Sequence, residues 1–344
     1  MSKSAEAHQV DHCSDCCQSD VSLHGQSSAC TPKCLNETPG QACVTTRRCG
    51  LLCRLMKSKP LILLLILFLF FQASSAISTD PPILQDYLIR SIPARPFFAM
   101  KGSEFAKMIS SIDGSARERA ILAQLMAGNL PDFLRRLKPV LLSHRLKDGR
   151  EVNLSIFVMP DYLAVGSDSD FLLMPMSLHT AAKIAFRFGF VLPTTKMVDA
   201  IFKQSAFHLT PNPLPPGPQM RSTAYYVKHD ERIKEQEQTL GKPLDALVSG
   251  HKKDVVLTNR LAKAVGRIAI YGWHRLSGDP IQPLTTVHPA NYADYSHGIR
   301  LVSEIVLIDG KPKSIYSVLQ DPEFTNILSD EGTIQARQLL SSSH

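Results

Sequence analysis

The apolar positions change spacing several times along the chain, and each change predicts an element. One block has no polar face at all: Leu61 to Phe71 reads LILLLILFLFF, eleven apolar residues in a row. Residues 83–147 read as helical, with Ser115 and Glu118 spaced as a capping box ahead of the apolar set Ile121, Leu122, Leu125 and Met126. Gly128-Asn129 stops that helix, and Pro131 opens a short one over 132–137. After Asp148-Gly149 the period shortens to two, which predicts strands at Val152–Val158, Tyr162–Val165 and Phe171–Met174. Helical spacing returns at Leu178–Phe188 and Thr194–Gln204, separated by Gly189 and Pro193.

Thr210 to Pro218 holds five prolines in nine residues, which bars a helix and a central strand and predicts a surface loop. A polar helix over Lys228–Leu240 follows. Three apolar runs, Ala246–Leu257, Arg267–Tyr271 and Ile299–Ile308, read as buried strands. Helices and strands mix without regular βαβ alternation, so the expected class is α+β: a helical N-terminal part packed on a mixed or antiparallel sheet with long loops. There is no internal repeat, P-loop or dinucleotide fingerprint.

The apolar block changes the picture of the whole chain. Basic residues Arg47, Arg48, Arg54, Lys57 and Lys59 precede it, and the small residues of Gln72-Ala73-Ser74-Ser75-Ala76 follow. That order is the anatomy of a signal peptide, and eleven apolar residues are short of the roughly 20 that a membrane span needs. The expected organisation is a tail over 1–55, a signal peptide or anchor over 56–76, and a single extracytoplasmic α+β domain over 77–344. A start at Met56 makes a compact signal peptide. On that reading residues 1–55 are upstream translation; the rival reading makes them the disordered cytoplasmic tail of an uncleaved anchor, with the membrane touched only through residues 57–76. The expected location is periplasmic or extracellular, or membrane-anchored with the C-terminal domain outside the cytoplasm.

All eight cysteines, Cys13 to Cys53, precede the apolar block. Cys13, Cys16, Cys17, Cys30 and Cys34 are spaced loosely for zinc but lack a second Cys-x-x-Cys, and Cys49 and Cys53 lie where juxtamembrane acylation occurs. The exported part thus has no cysteine nucleophile and no disulfide, and its length suffices for an unstapled core. Seven of the 38 basic and five of the 31 acidic residues precede Ile77, so the remainder is only mildly cationic. It has no Lys/Arg stripe with interleaved aromatics, so nucleic acid is not an expected partner; an envelope polymer or a small-molecule ligand is.

Reactive side chains crowd residues 249–300, which hold four of the nine histidines after Ala76 and the only tryptophan. His297 is the expected general acid or base, since imidazole titrates nearest neutrality, paired with Asp294, His274 or Asp254 across the fold. His251, Tyr271, Trp273, His288, Tyr295 and Arg300 are the expected substrate-binding groups, Arg300 through its fork of donors. No cofactor is specified. An open zinc site could draw on His251, Asp254, His274, His288 or His297, although no His-Glu-x-x-His helix exists and no metal ligand is assigned. The expected function is an exported hydrolase or transferase acting on a glycan or peptide polymer. The alternatives are a non-catalytic carbohydrate- or envelope-binding module and a structural envelope protein.

Two resemblances bear on this window. Ile268 to Gly272 followed by Tyr295-Ser296-His297-Gly298-Ile299-Arg300-Leu301 resembles the end of an L,D-transpeptidase domain, with its His-Gly strand and Ser-His-Gly-Cys-x-Arg motif. Here Ile299 stands where that nucleophilic Cys belongs and Tyr271 where the His belongs, so the resemblance implies no cysteine-dependent transpeptidation. Trp273-His274 is similar to the Glu-x-Trp-His of certain D-Ala-D-Ala peptidases, but Tyr271 stands at the position of the Glu. More broadly, Gly128 to Arg135, Met159 to Gly166, Leu192 to Asp199 and Tyr271 to His274 resemble an uncharacterised family of exported bacterial proteins. That likeness implies one integrated domain over most of 95–330 and no particular activity.

Overall fold

In the computed structural model the described residues are 81–341, so the expected tail over 1–55 and the expected signal peptide or anchor over 56–76 lie outside them. Strand β1 (Lys138–Arg145) and strand β2 (Glu151–Val158) form an antiparallel hairpin over their full lengths. Helix had been expected through residue 147. The chain instead follows the two-residue period of Val140 and Leu142, buried, against Leu141, exposed, with Pro139 barred from a helix interior.

The other edge of β2 pairs with β12 (Val302–Ser303) at Val158 and with β13 (Ile305–Ile308) at Leu154 and Ser155. β12 also pairs with β5 (Phe190–Val191), and β13 turns back into β14 (Lys311–Ser314), giving a six-stranded antiparallel sheet. A second, mixed sheet runs β10 (Pro280–Thr285), β9 (Ile270–His274), β8 (Lys253–Val255), β11 (His297–Gly298), with only β8 and β11 parallel. Small pairs form between β3 (Ala164–Ser167) and β4 (Asp170–Leu173), and between β6 (Phe207–His208) and β7 (Val248–Ser249). The class is α+β, and all described residues fall within one compact unit.

Helices cover these sheets. α1 (Pro81–Ile89), α2 (Gly102–Met108) and α3 (Gly114–Met126) form the N-terminal part, with α2 on the β3–β4 hairpin. α3 starts at Gly114, one residue before Ser115, with Asp113 as its N-cap, and the expected capping box does not form. Glu118 instead accepts the amide and hydroxyl of Ser177, a tertiary partner that outcompetes the local one. α4 (Leu178–Phe188) begins on Ser177, whose hydroxyl accepts the Thr180 amide, and ends at Gly189, whose φ of 78° suits a glycine. α5 (Thr195–Gln204) is capped in the same way by Thr194.

α6 (Thr223–Thr239) starts five residues earlier than its polar sequence suggests, because Tyr226, His229, Asp230 and Ile233 make a buried stripe that is only partly apolar. The run Ala246–Leu257 is not one strand but β7 and β8 joined by a buried polar turn. The shorter helices α7 (Arg260–Lys263), α8 (Ile315–Gln320), α9 (Thr325–Leu328) and α10 (Ala336–Ser341) complete the described chain. Among the described residues no helix is long and apolar enough to cross a membrane.

One extended segment serves both large sheets. From β11 it continues through Ile299, whose carbonyl accepts the Leu163 amide at 2.8 Å, and Leu301, whose carbonyl accepts the Met159 amide at 3.0 Å, into β12. The proline-rich loop is held to this region by Leu214, whose amide donates to the Tyr295 hydroxyl at 2.8 Å.

Candidate functional site

The small sheet sorts the candidate residues by side. Residues directly opposite across a ladder share a face, so His297 and Lys253 lie on one face and Gly298, Asp254 and Tyr271 on the other.

On the first face His297 is 1 % exposed, and neither of its ring nitrogens has a hydrogen-bond partner. Asp294 lies behind it, Oδ2 at 4.0 Å from His297 Nε2. The carboxylate is itself held firmly: Oδ1 accepts the Ser296 amide at 2.8 Å and hydroxyl at 2.6 Å, and Oδ2 accepts the Tyr292 hydroxyl at 3.1 Å. Burial alone would raise the Asp294 pKa, but His297, the Ser296 bonds and Lys253 outweigh it and hold the carboxyl below its usual range. Burial pushes His297 down to about 4 despite Asp294, so its imidazole is neutral at pH 7. His288 stacks on Tyr292 with ring centroids 4.1 Å apart, and Tyr292 stands edge-on to His297 at 5.7 Å.

Beside Lys253 the backbone is strained. Trp273 adopts φ 56°, rare for a bulky residue, and the ring it presents lies 5.1 Å from the Lys253 ammonium. Trp273 Nε1 and His229 Nε2 are also buried without a hydrogen-bond partner. His229 Nδ1 faces the Lys252 ammonium at 3.2 Å, and that ammonium donates to the Tyr295 carbonyl at 2.6 Å. Burial brings Lys252 down to about 8.

No family model, curated protein or solved structure matches this chain.

The second face is a tied network. Asp254 accepts the Tyr162 hydroxyl at 2.9 Å, and burial raises its pKa to about 6. Arg300 donates to the carbonyls of Met159 (2.9 Å) and Val248 (2.6 Å), and its guanidinium packs 4.3 Å from the Tyr162 ring centroid. Its donors are thus engaged by backbone inside the fold rather than turned toward open space. His251 and Asp161 form a wholly buried pair at 3.0 Å. Burial pushes His251 down, which leaves a neutral ring donating to the carboxylate. Tyr271 and His274 converge on Asp199, at 2.9 and 3.0 Å.

The structure therefore brings His297, Asp294, His288 and Tyr292 together, with Lys253 and Trp273 alongside. It places Asp254, His274, Tyr271, His251 and Arg300 in a separate network. Among the described residues no three His, Cys, Asp or Glu side chains are gathered as metal ligands. Asp161, Tyr162, Asp199, His229, Lys252 and Lys253 escaped the sequence reading as site residues. Lys252 and Lys253 were visible as a charged pair inside an apolar run, a pattern that points to a buried or functional ammonium. Asp199 gave no signal beyond being a polar residue on a helix.

Gly298 is required by close approach. A Cβ there would lie 2.6 Å from two ring atoms of Tyr162 and 2.8 Å from Lys252 Cβ, so Gly298→Ala is expected to cost about 1–3 kcal/mol through overpacking. Urea denaturation measures it, and a loss under about 0.5 kcal/mol would mean that Tyr162 and Lys252 do not crowd Gly298 as described.

Proposed function

We propose that this chain is an exported hydrolase or transferase acting on a glycan or peptide polymer, with His297 as its general base. The observation that carries this reading is the His297 ring itself: neutral, buried, and hydrogen-bonded through neither nitrogen. A buried polar group without a partner is costly, and function is one reason for a fold to keep it. The ring can take a proton from a water or hydroxyl nucleophile at a free nitrogen, and the Asp294 carboxylate behind it stabilises the imidazolium that forms. Protonated, the same ring can return that proton to the leaving group. Ser296 is a poor nucleophile here, since its hydroxyl is buried and donates to Asp294. Export rests on the basic, apolar and small-residue zones of residues 57–76. A sugar-stacking module needs exposed rings, and of its four candidate rings Trp273 and Tyr295 are only 4 % and 2 % exposed while Tyr271 and Tyr292 are half-buried.

The test pairs the full-length wild type with His297→Leu on a panel of peptidoglycan, plain polysaccharides and denatured protein, with released fragments followed by mass spectrometry. Wild type should release fragments from one of these polymers, and the variant should be slower by about 10²–10⁴-fold while keeping its melting temperature. Equal release by both chains, or no release by folded wild type from any polymer, rules out His297 as the base of a depolymerase.

A further inference from the structure

We propose that the cleft where the N-termini of α3 and α6 meet is an oxyanion-binding site built around the buried guanidinium of Arg117. This inference rests on residues separate from His297 and does not depend on the role given to that ring. The cleft has a volume of about 410 Å³, and its lining includes Ser111, Gly114, Arg117, Arg221, Ser222 and Thr223.

Arg117 is 4 % exposed and has no carboxylate within 4.0 Å among the described residues. One terminal nitrogen donates to the Tyr226 hydroxyl at 3.1 Å, the other makes a long contact of 3.4 Å with Thr223 Oγ1, and Nε has no partner. Its charge is met only by neutral groups and by the Tyr226 ring, 4.6 Å away. A permanent charge buried without a counter-charge is strongly unfavourable, and an anion in the cleft relieves that cost.

The surroundings suit an oxyanion. α3 has 13 residues and α6 has 17, so both present first-turn amides and the positive end of a helix dipole toward the cleft. The α3 N-cap, Asp113, makes no side-chain capping bond, which leaves the Gly114 and Ser115 amides available, while at α6 the Ser222 hydroxyl already accepts the Tyr225 amide. The Arg221 side chain is exposed and makes no hydrogen bond or ion pair among the described residues; its guanidinium carbon lies 5.4 Å from the Tyr292 ring centroid. It also lines an adjoining cleft of about 270 Å³, together with Arg119, Lys183 and Asn291. Against these four cations stand Asp113, exposed at the rim, and Glu118, already engaged by Ser177. A planar guanidinium fork matches carboxylate and phosphate alike, so the ligand chemistry is an oxyanion of either kind. Arg221, which lines the cleft, also reaches the Tyr292 ring, and that ring stands edge-on to His297.

The experiment is calorimetric titration of the full chain with inorganic phosphate and, separately, with acetate, at fixed ionic strength in chloride. Saturable binding of at least one anion is expected, weakened about tenfold or more in Arg221→Glu and lost in Arg117→Met. Preference for phosphate marks a phosphorylated ligand, and preference for acetate a carboxylated one. Arg221 is exposed, so its substitution tests the site even if Arg117→Met does not fold. The proposal is overturned if neither anion binds saturably, or if a folded variant of either arginine keeps wild-type affinity.

Discussion

Arg300→Met is expected to lower the unfolding free energy by about 3–5 kcal/mol, the largest effect of any single substitution near the candidate site. The guanidinium is fully enclosed and bonds the carbonyls of Met159 and Val248, which ties the end of β2 to β7. Removing it leaves both carbonyls short of a donor in a dry interior, at about 1–3 kcal/mol each. It also withdraws the positive charge that counters burial at Asp161 and Asp254. Methionine keeps most of the volume, so the loss reports electrostatics and hydrogen bonds rather than a cavity. Equilibrium urea denaturation measures it. The sequence pattern alone had suggested a substrate clamp, and a clamp would behave oppositely, with unchanged stability and a defect only in ligand binding.

The second large effect is pH-dependent. At pH 7 His297→Leu should match or exceed wild type in stability, because an apolar group of similar volume replaces a buried ring with no hydrogen bonds to lose. On acidification the two chains should diverge. Burial gives His297 a folded pKa of about 4, against an ordinary value near 6.5, so between these limits the unfolded wild type binds a proton that the folded state refuses. Stability attributable to this group is present above pH 6.5 and disappears as pH falls toward 4. The leucine variant lacks the group and should gain about 3 kcal/mol on wild type between pH 7 and pH 4. His229 and His251, also held down by burial, and Asp254 and Glu237, held up by it, remain in both chains and cancel in the comparison, whereas Asp294, which His297 helps hold down, does not. Parallel pH profiles for the two chains would show that the ring is solvated, and the general-base reading would lose its support.

How much of this was legible in the sequence depends on whether the information was local. α4 and α5 were, because Ser177, Gly189 and Thr194 carry their start and stop signals within a turn of the ends they set. β1 was not, because its alternation spans only four residues and follows a long helical stretch. The start of α6 was hidden by Tyr226, His229 and Asp230, polar residues that fill a buried stripe and erase the usual hydrophobic period. For the candidate site, the window 249–300 holds β8, β9 and β11, strands of one sheet. The division into two faces was invisible, as strands of two or three residues have no readable period and their register is set by distant partners. Asp161 and Asp199 reach the network from other segments of the chain, beyond the reach of any local pattern.

The segment that leaves β11 and enters β12 also constrains how the protein can assemble. Val302 pairs with Val158, roughly 140 positions away along the chain, and such distant contacts slow folding because a long loop must close before they form. His297 sits five residues earlier on the same stretch, and its pairing with Lys253 spans only 44 positions, a much shorter loop to close. The candidate base therefore lies where a short-range pairing of one sheet hands the chain to a long-range pairing of another, so a shift in either sheet reaches it through five residues of backbone.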